Sequence, residues 1–186
     1  MKNVIIFHGT EGYPEENWFP WMKEKLEAED CQVFVPQFPS PPIVPSKISE
    51  WFDVLKNYEQ YINKDTILIG HSLGGLFLLR VLEKLDYPIH AAVFVSTPVG
   101  EKPILNWDRD SSFCGFNLKW DEIKNKAKNF IVYQSDDDPY VGLANGEKLA
   151  KELGVELTFI PNAGHFNKPA GYTEFPHLLE KLKPLL

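Results

Sequence analysis

The stretch Thr66-Ile67-Leu68-Ile69-Gly70-His71-Ser72-Leu73-Gly74-Gly75-Leu76-Phe77-Leu78-Leu79-Arg80 joins a short apolar run to a longer apolar segment through a turn with glycine at three positions. Thr66–Ile69 reads as a strand. Leu73 to Leu85 reads as a helix that is apolar almost all round, and therefore buried in the middle of a fold rather than laid on its surface. The G-x-S-x-G spacing from Gly70 to Gly74 alone is weak, since average Gly and Ser usage yields it by chance in roughly one chain in fifteen of this length. Its placement, strand before and helix after, is what gives it meaning.

Outward from this turn, short β-branched runs alternate with helical patterns along the whole chain. Val4–Phe7, Gln32–Val35, Thr66–Ile69, Ala91–Val95, Phe130–Gln134 and Glu156–Ile160 are the strand candidates, bounded by Gly, Pro, Asn or Asp. Between them, Ile48, Trp51, Phe52, Leu55 and Ile62 recur near helical spacing, as do Phe175, Leu178, Leu179 and Leu182. Gly142–Leu153 reads as a helix closed by Gly154. The alternation predicts an α/β fold: a three-layer α/β/α sandwich with a mostly parallel sheet of about six strands, in one domain over residues 1–186. Pro36 to Pro45 holds five prolines in ten positions and reads as an extended connection. Residues 97–128 lack a strong strand signal and carry Trp107, Phe113, Phe116 and Trp120. They form either a helix and loop closing over core, or a short cap that lines a pocket.

Composition narrows the function classes. With 26 acidic and 19 basic residues the formal charge is −7, a field that repels phosphate backbones and anionic lipid heads, so neither nucleic acid nor membrane is an expected partner. The apolar run after Met1-Lys2-Asn3 is too short for a signal peptide, and no stretch is long enough to span a bilayer. A soluble, cytoplasmic protein is the default expectation. Oligomeric state is open, a monomer being compatible with a compact acidic domain. Cys31 and Cys114 sit in no metal-ligand or redox spacing and are expected as free thiols.

The chemistry follows from what a serine hydroxyl needs. It is a poor nucleophile unless it stands on a tight turn where an imidazole can take its proton. Ser72 is the candidate nucleophile. The following helix start aims Leu73 N–H at a developing oxyanion, and a second donor is expected from the loop His8-Gly9-Thr10-Glu11-Gly12 after the first strand: Thr10 N–H, or Glu11 N–H if the register differs. Acid and base should follow in the order Asp, His, on loops after later strands. Of five histidines, only His165 lies between the last strand and the last helix; His71, His90 and His177 read as structural. Asp136, Asp137 and Asp138 all follow the fifth strand. Asp138 is the chosen partner of His165, because Pro139 stiffens the chain behind it and an Asp-x-x-Val spacing ends at Val141; Asp137 is the fallback. A bland reading, Ser72 as the cap of a helix start, competes with the nucleophile.

With these residues placed, the chain resembles the compact serine hydrolases of the retinoblastoma-binding-protein-nine type and their bacterial YdeN-like relatives. The likeness includes His8-Gly9, Asn17-Trp18-Phe19-Pro20-Trp21, Pro36–Pro42, Trp51, Gly70–Gly75, Asp137-Asp138-Pro139 and Gly164-His165-Phe166. The resemblance implies a minimal α/β-hydrolase fold with a short or absent lid, a Ser72-Asp138-His165 triad, and no metal or organic cofactor. The expected substrate is a small acyl compound, foremost a carboxylic ester. Thioester or amide cleavage uses the same machinery, cofactor-free haloperoxidase chemistry is a weaker option, and a protein-binding module that has lost turnover is the reading from another class.

Overall fold

The computed structural model describes residues 1–40, 45–105, 107–114 and 117–186. Pro41-Pro42 of the proline-rich connection and Phe116 lie outside them. The described residues form one sheet of six parallel strands, β1 (Asn3–Phe7), β2 (Gln32–Phe34), β3 (Ile67–His71), β4 (Ile89–Val95), β5 (Ala127–Gln134) and β6 (Leu157–Phe159), in the order β2-β1-β3-β4-β5-β6. Each strand candidate is present, with shifts of at most three residues at its ends.

Strand alternation makes the layers. Ile5 and Phe7 face one way with Leu68, Ala92, Phe94 and Val132; Val4 and Ile6 face the other with Ile67, Ile69, Val93 and Tyr133. Both sets are buried, which explains why these strands read as continuous apolar runs rather than alternating ones. The first face is covered by α2 (Ile48–Leu55), α3 (Leu73–Leu82) and α6 (Leu143–Leu153), the second by α1 (Phe19–Glu27) and α7 (Pro176–Leu182). All ten residues of α3 are buried, as its composition requires. Two short helices, α4 (Ser111–Cys114) and α5 (Trp120–Ile123), lie in the 97–128 interval.

Three helix ends depart from the periodicity. After α2, Asn57 Nδ2 donates to Val54 O and Tyr58 N–H to Leu55 O, so the chain tightens into a 3₁₀ turn at Glu59–Tyr61; Ile62 reaches the same core from outside the helix. Leu85 falls beyond α3, and Phe175 precedes α7, where Pro176 fits the first turn because its missing N–H has no intrahelical partner there. α6 ends at Gly154 in the left-handed region, φ 71°.

After β1 the chain steps to β2 on one side, then returns to β3 and continues on the other. The carboxyl ends of β1 and β3 are thus the point where strand order reverses, where open α/β sheets form a crevice.

Candidate active site

Four loops meet at that crevice: His8–Gly12 after β1, the turn at Ser72 after β3, Ser135–Val141 after β5, and Ile160–Phe166 after β6. Ser72, Asn17, Leu73, Thr10, Tyr140 and His165 are among the residues lining a cleft of about 410 Å³, inside the usual range for small-molecule sites.

The Ser72 backbone is strained, with φ 54° and ψ −125°. It is held by Ser72 N–H to Val95 O (2.9 Å) and by Gly75 N–H to Ser72 O (2.9 Å). The flanking glycines exist because there is no room for a Cβ: at Gly70 it would sit 2.5 Å from Gly75 Cα, and at Gly74 it would collide with Phe7 O. Gly9 has the same role toward the hydroxyl itself, since a Cβ there would come 2.8 Å from Ser72 Cβ and 3.3 Å from Oγ.

His165 Nδ1 and Asp138 Oδ2 are 2.8 Å apart, with the Asp138 side chain fully buried. Its other oxygen accepts from Tyr140 N–H (2.9 Å) and Val141 N–H (3.0 Å), which is the physical content of the Asp-x-x-Val spacing. Gln134 Nε2 donates to Oδ2 as well (3.2 Å). Burial alone would raise the Asp138 pKa; the bond to His165, the nearby imidazole charge and the two N–H donors outweigh it and hold the carboxyl below its ordinary range. With Asp138 ionised, the 2.8 Å contact needs a ring proton on Nδ1, which turns Nε2 away from the carboxylate.

The neighbouring aspartates brace the loop instead. Asp137 Oδ1 accepts from Ser135 Oγ (2.5 Å) and Gly164 N–H (2.7 Å), Asp136 Oδ1 from Asn162 N–H (2.9 Å), and Ser135 Oγ from Ala163 N–H (3.0 Å). The Ser135 hydroxyl, then Gly164 N–H, depress the Asp137 pKa. Asn162, Gly164 and Phe166 all have positive φ, so the His165 turn needs such ties. Trp18 Nε1–H adds one from α1's side, to Phe166 O (3.0 Å).

His71 also has a job that its sequence position did not reveal. Its Nε2–H donates to His165 O (2.8 Å), and burial, with His165 next to it, lowers its pKa to about 3. It is a neutral strut. His8 is similar: Phe38 N–H donates to Nε2 (2.9 Å), so the proton must be on Nδ1, which donates to Gly9 O (2.9 Å). Burial lowers the His8 pKa to about 4. Adjacency to the nucleophile and to Gly9 was the only available signal for either.

Thr10 and Leu73 both line the cleft. Glu11 N–H, the alternative donor, is engaged by Ser40 Oγ (2.5 Å). From the 97–128 interval come Pro98, Ile104, Leu105, Trp107, Asp110 and Cys114. Burial, reinforced by Asp110, pushes the Cys114 thiol up to about 12, so it is not a thiolate at neutral pH. The carboxylates lining the cleft are Glu11, Glu16 and Asp110; burial raises the Glu16 pKa to about 7. Among the described residues no Lys or Arg lines it, no group of three or more His, Cys, Asp or Glu could hold a metal ion, and no helix is long and apolar enough to cross a membrane.

Comparison with known proteins gives the chain its family. The family model described as serine hydrolase matches residues 4–184. The Bacillus subtilis protein YdeN is 28% identical over 97% of this chain and 94% of its own length, and serine hydrolase RBBP9 of Rattus norvegicus is 26% identical over 100% and 95%. The crystal structure of the ydeN gene product covers 100% of this chain and 98% of that one at TM-score 0.91. The fold is shared more widely: Est1E of Butyrivibrio proteoclasticus, solved with ferulic acid bound, is 16% identical over 98% of this chain and 90% of its own, with TM-score 0.71.

Proposed function

Because this chain belongs to the serine hydrolase family, we propose that it cleaves small carboxylic esters through an acyl-enzyme intermediate on Ser72. The observation that carries this reading is that the Ser72 turn and His165, whose ring is fixed by a buried carboxylate, open into one cleft. His165 Nε2 takes the Ser72 proton as Oγ attacks the ester carbonyl. Leu73 N–H and Thr10 N–H stabilise the tetrahedral oxyanion. His165 then gives the proton to the departing alcohol, leaving the acyl group on Oγ. Water, deprotonated by the same imidazole, attacks this ester, and the acid leaves as Ser72 regains its proton. Asp138 stabilises the imidazolium without taking its proton.

The lining supports a neutral acyl group: among the described residues it holds Glu11, Glu16 and Asp110 but no Lys or Arg to pair with a carboxylate or phosphate on the substrate. Residues 97–128 would act as the pocket wall rather than as a separate domain. The test is hydrolysis of a p-nitrophenyl ester series from acetate to octanoate by wild type and Ser72→Ala. Ser72-dependent turnover with a chain-length optimum is expected; an inert wild type on these esters, on p-nitrophenyl thioesters and on anilides would overturn the reading and favour a binding role.

A further inference from the structure

The loop that would supply the second oxyanion donor is built from few bonds of its own. Within it Gly12 N–H donates to Gly9 O (3.1 Å), and His8 Nδ1 donates to the same carbonyl. Downstream, Glu11 N–H is held by Ser40 Oγ. The peptide between these anchors belongs to Thr10, and its side chain is tied across the cleft: Thr10 Oγ1 donates to Asp110 Oδ2 at 2.9 Å. Beside it Arg109 Nη1 meets Glu11 Oε1 at 2.7 Å. Asp110 is 6% exposed and sits at the entrance to α4, where its carbonyl accepts from Phe113 N–H (2.9 Å) and Cys114 Sγ (3.3 Å). Phe113 is itself buried against Trp51 and Phe77, and Arg80 Nε donates to its carbonyl, so Asp110 is mounted on core.

We propose that Asp110 is a positioning residue: through the Thr10 hydroxyl it sets the direction of Thr10 N–H, so that residues 107–114 complete the oxyanion hole as well as walling the cleft. This rests on the esterase reading above. A hydroxyl bonded to a carboxylate is a strong, directional link, and once Oγ1 and the flanking peptides are fixed, the Thr10 amide has little freedom left. A donor must lie within a few tenths of an ångström of its productive place to stabilise a charge that appears only in the transition state. The effect should therefore fall on kcat rather than on KM.

The experiment uses p-nitrophenyl acetate with wild type, Ser72→Ala, Thr10→Val, Thr10→Ser, Asp110→Ala, Asp110→Asn and the double variant Thr10→Val/Asp110→Ala, with thermal melts alongside. Val keeps the shape and the N–H but removes the hydroxyl; Ser and Asn keep the link. Thr10→Val and Asp110→Ala should each lower kcat about tenfold with KM within about twofold, the double variant should be no worse than either, and Ser and Asn should recover most of the rate. Affinity for phenylboronic acid, whose tetrahedral adduct needs the same donors, should fall in parallel with kcat. If Asp110→Ala does not fold, Thr10→Val carries the test alone. Ser72-dependent hydrolysis at full rate in Thr10→Val, or losses that multiply in the double variant, overturns the positioning role and leaves the esterase reading standing; a wild type with no Ser72-dependent hydrolysis overturns both.

Discussion

Two loops face each other across the cleft, and they are stiffened in different ways. The turn carrying His165 is tied to its neighbour in the sheet, the segment Ser135–Asp138, by side chains 26 to 28 residues away. The loop His8–Gly12 is tied instead to Ser40, 29 residues on, and to Arg109 and Asp110, 98 and 100 residues on. A base must hold a tautomer and a distance through two proton transfers, so a dense local brace suits it. The proposed oxyanion donor, Thr10 N–H, would instead be placed by a distant segment that also walls the cleft. Each loop has one buried neutral histidine as a strut, His71 for the first and His8 for the second.

The largest expected effect lies on the His165 side. Asp138→Asn should keep the fold and the backbone contacts at Oδ1 but present the wrong partner to Nδ1, lowering kcat by roughly 10³–10⁴-fold. Steady-state hydrolysis checks it; a loss under tenfold would mean that the brace, not the carboxylate, holds His165.

The two histidine struts predict a shared acid limit. Their folded pKa values, about 4 for His8 and about 3 for His71, lie below the ordinary 6.5. The unfolded chain therefore binds protons first, so stability present above pH 6.5 is lost as pH falls. Between pH 7 and pH 5 each contributes a loss of about 2 kcal/mol. The Glu16 pKa, raised to about 7, shifts stability the other way over this range. The His8 share is therefore read by urea unfolding as the difference between wild type and His8→Asn, whose loss between the two pH values should be smaller by about 2 kcal/mol. An equal loss in wild type and His8→Asn would show that His8 is not held neutral.

Asp137→Ala sharpens the comparison further, because it removes the ties to Ser135 and Gly164 while sparing Asp138. A kcat reduction of about tenfold in steady-state hydrolysis is expected, and an unchanged rate would show that these ties do not position His165. The smallest effect concerns substrate charge: an activated hemisuccinate ester should show kcat/KM several-fold below a neutral ester of equal length, and the gap should shrink in salt. A preference for the anionic ester would contradict the reading of the cleft.

The contrast between the loops also explains what the sequence discloses. Strands and buried helices are legible because burial on both sides of a parallel sheet leaves unbroken apolar runs such as Val4–Phe7 and the all-round apolar α3. Ser72 and His165 are legible because strand ends dictate where a turn must fall. Choosing among Asp136, Asp137 and Asp138 rested on a spacing whose physical basis, two N–H groups reaching back to Oδ1, is local. The Asp110–Thr10 link is not legible, since nothing near Asp110 in the chain hints at a partner 100 residues away. Ile62 and Leu85 continue an apolar period past the helix ends because the core asks only for burial, not for helix.

Ser72 is the proposed nucleophile, and peptide mapping after exposure to a fluorophosphonate probe reads it without any choice of substrate. One adduct is expected on the peptide containing Ser72, formed far more slowly in His165→Ala and absent in Ser72→Ala. An unlabelled wild type, or an adduct on another residue that survives Ser72→Ala, would contradict it.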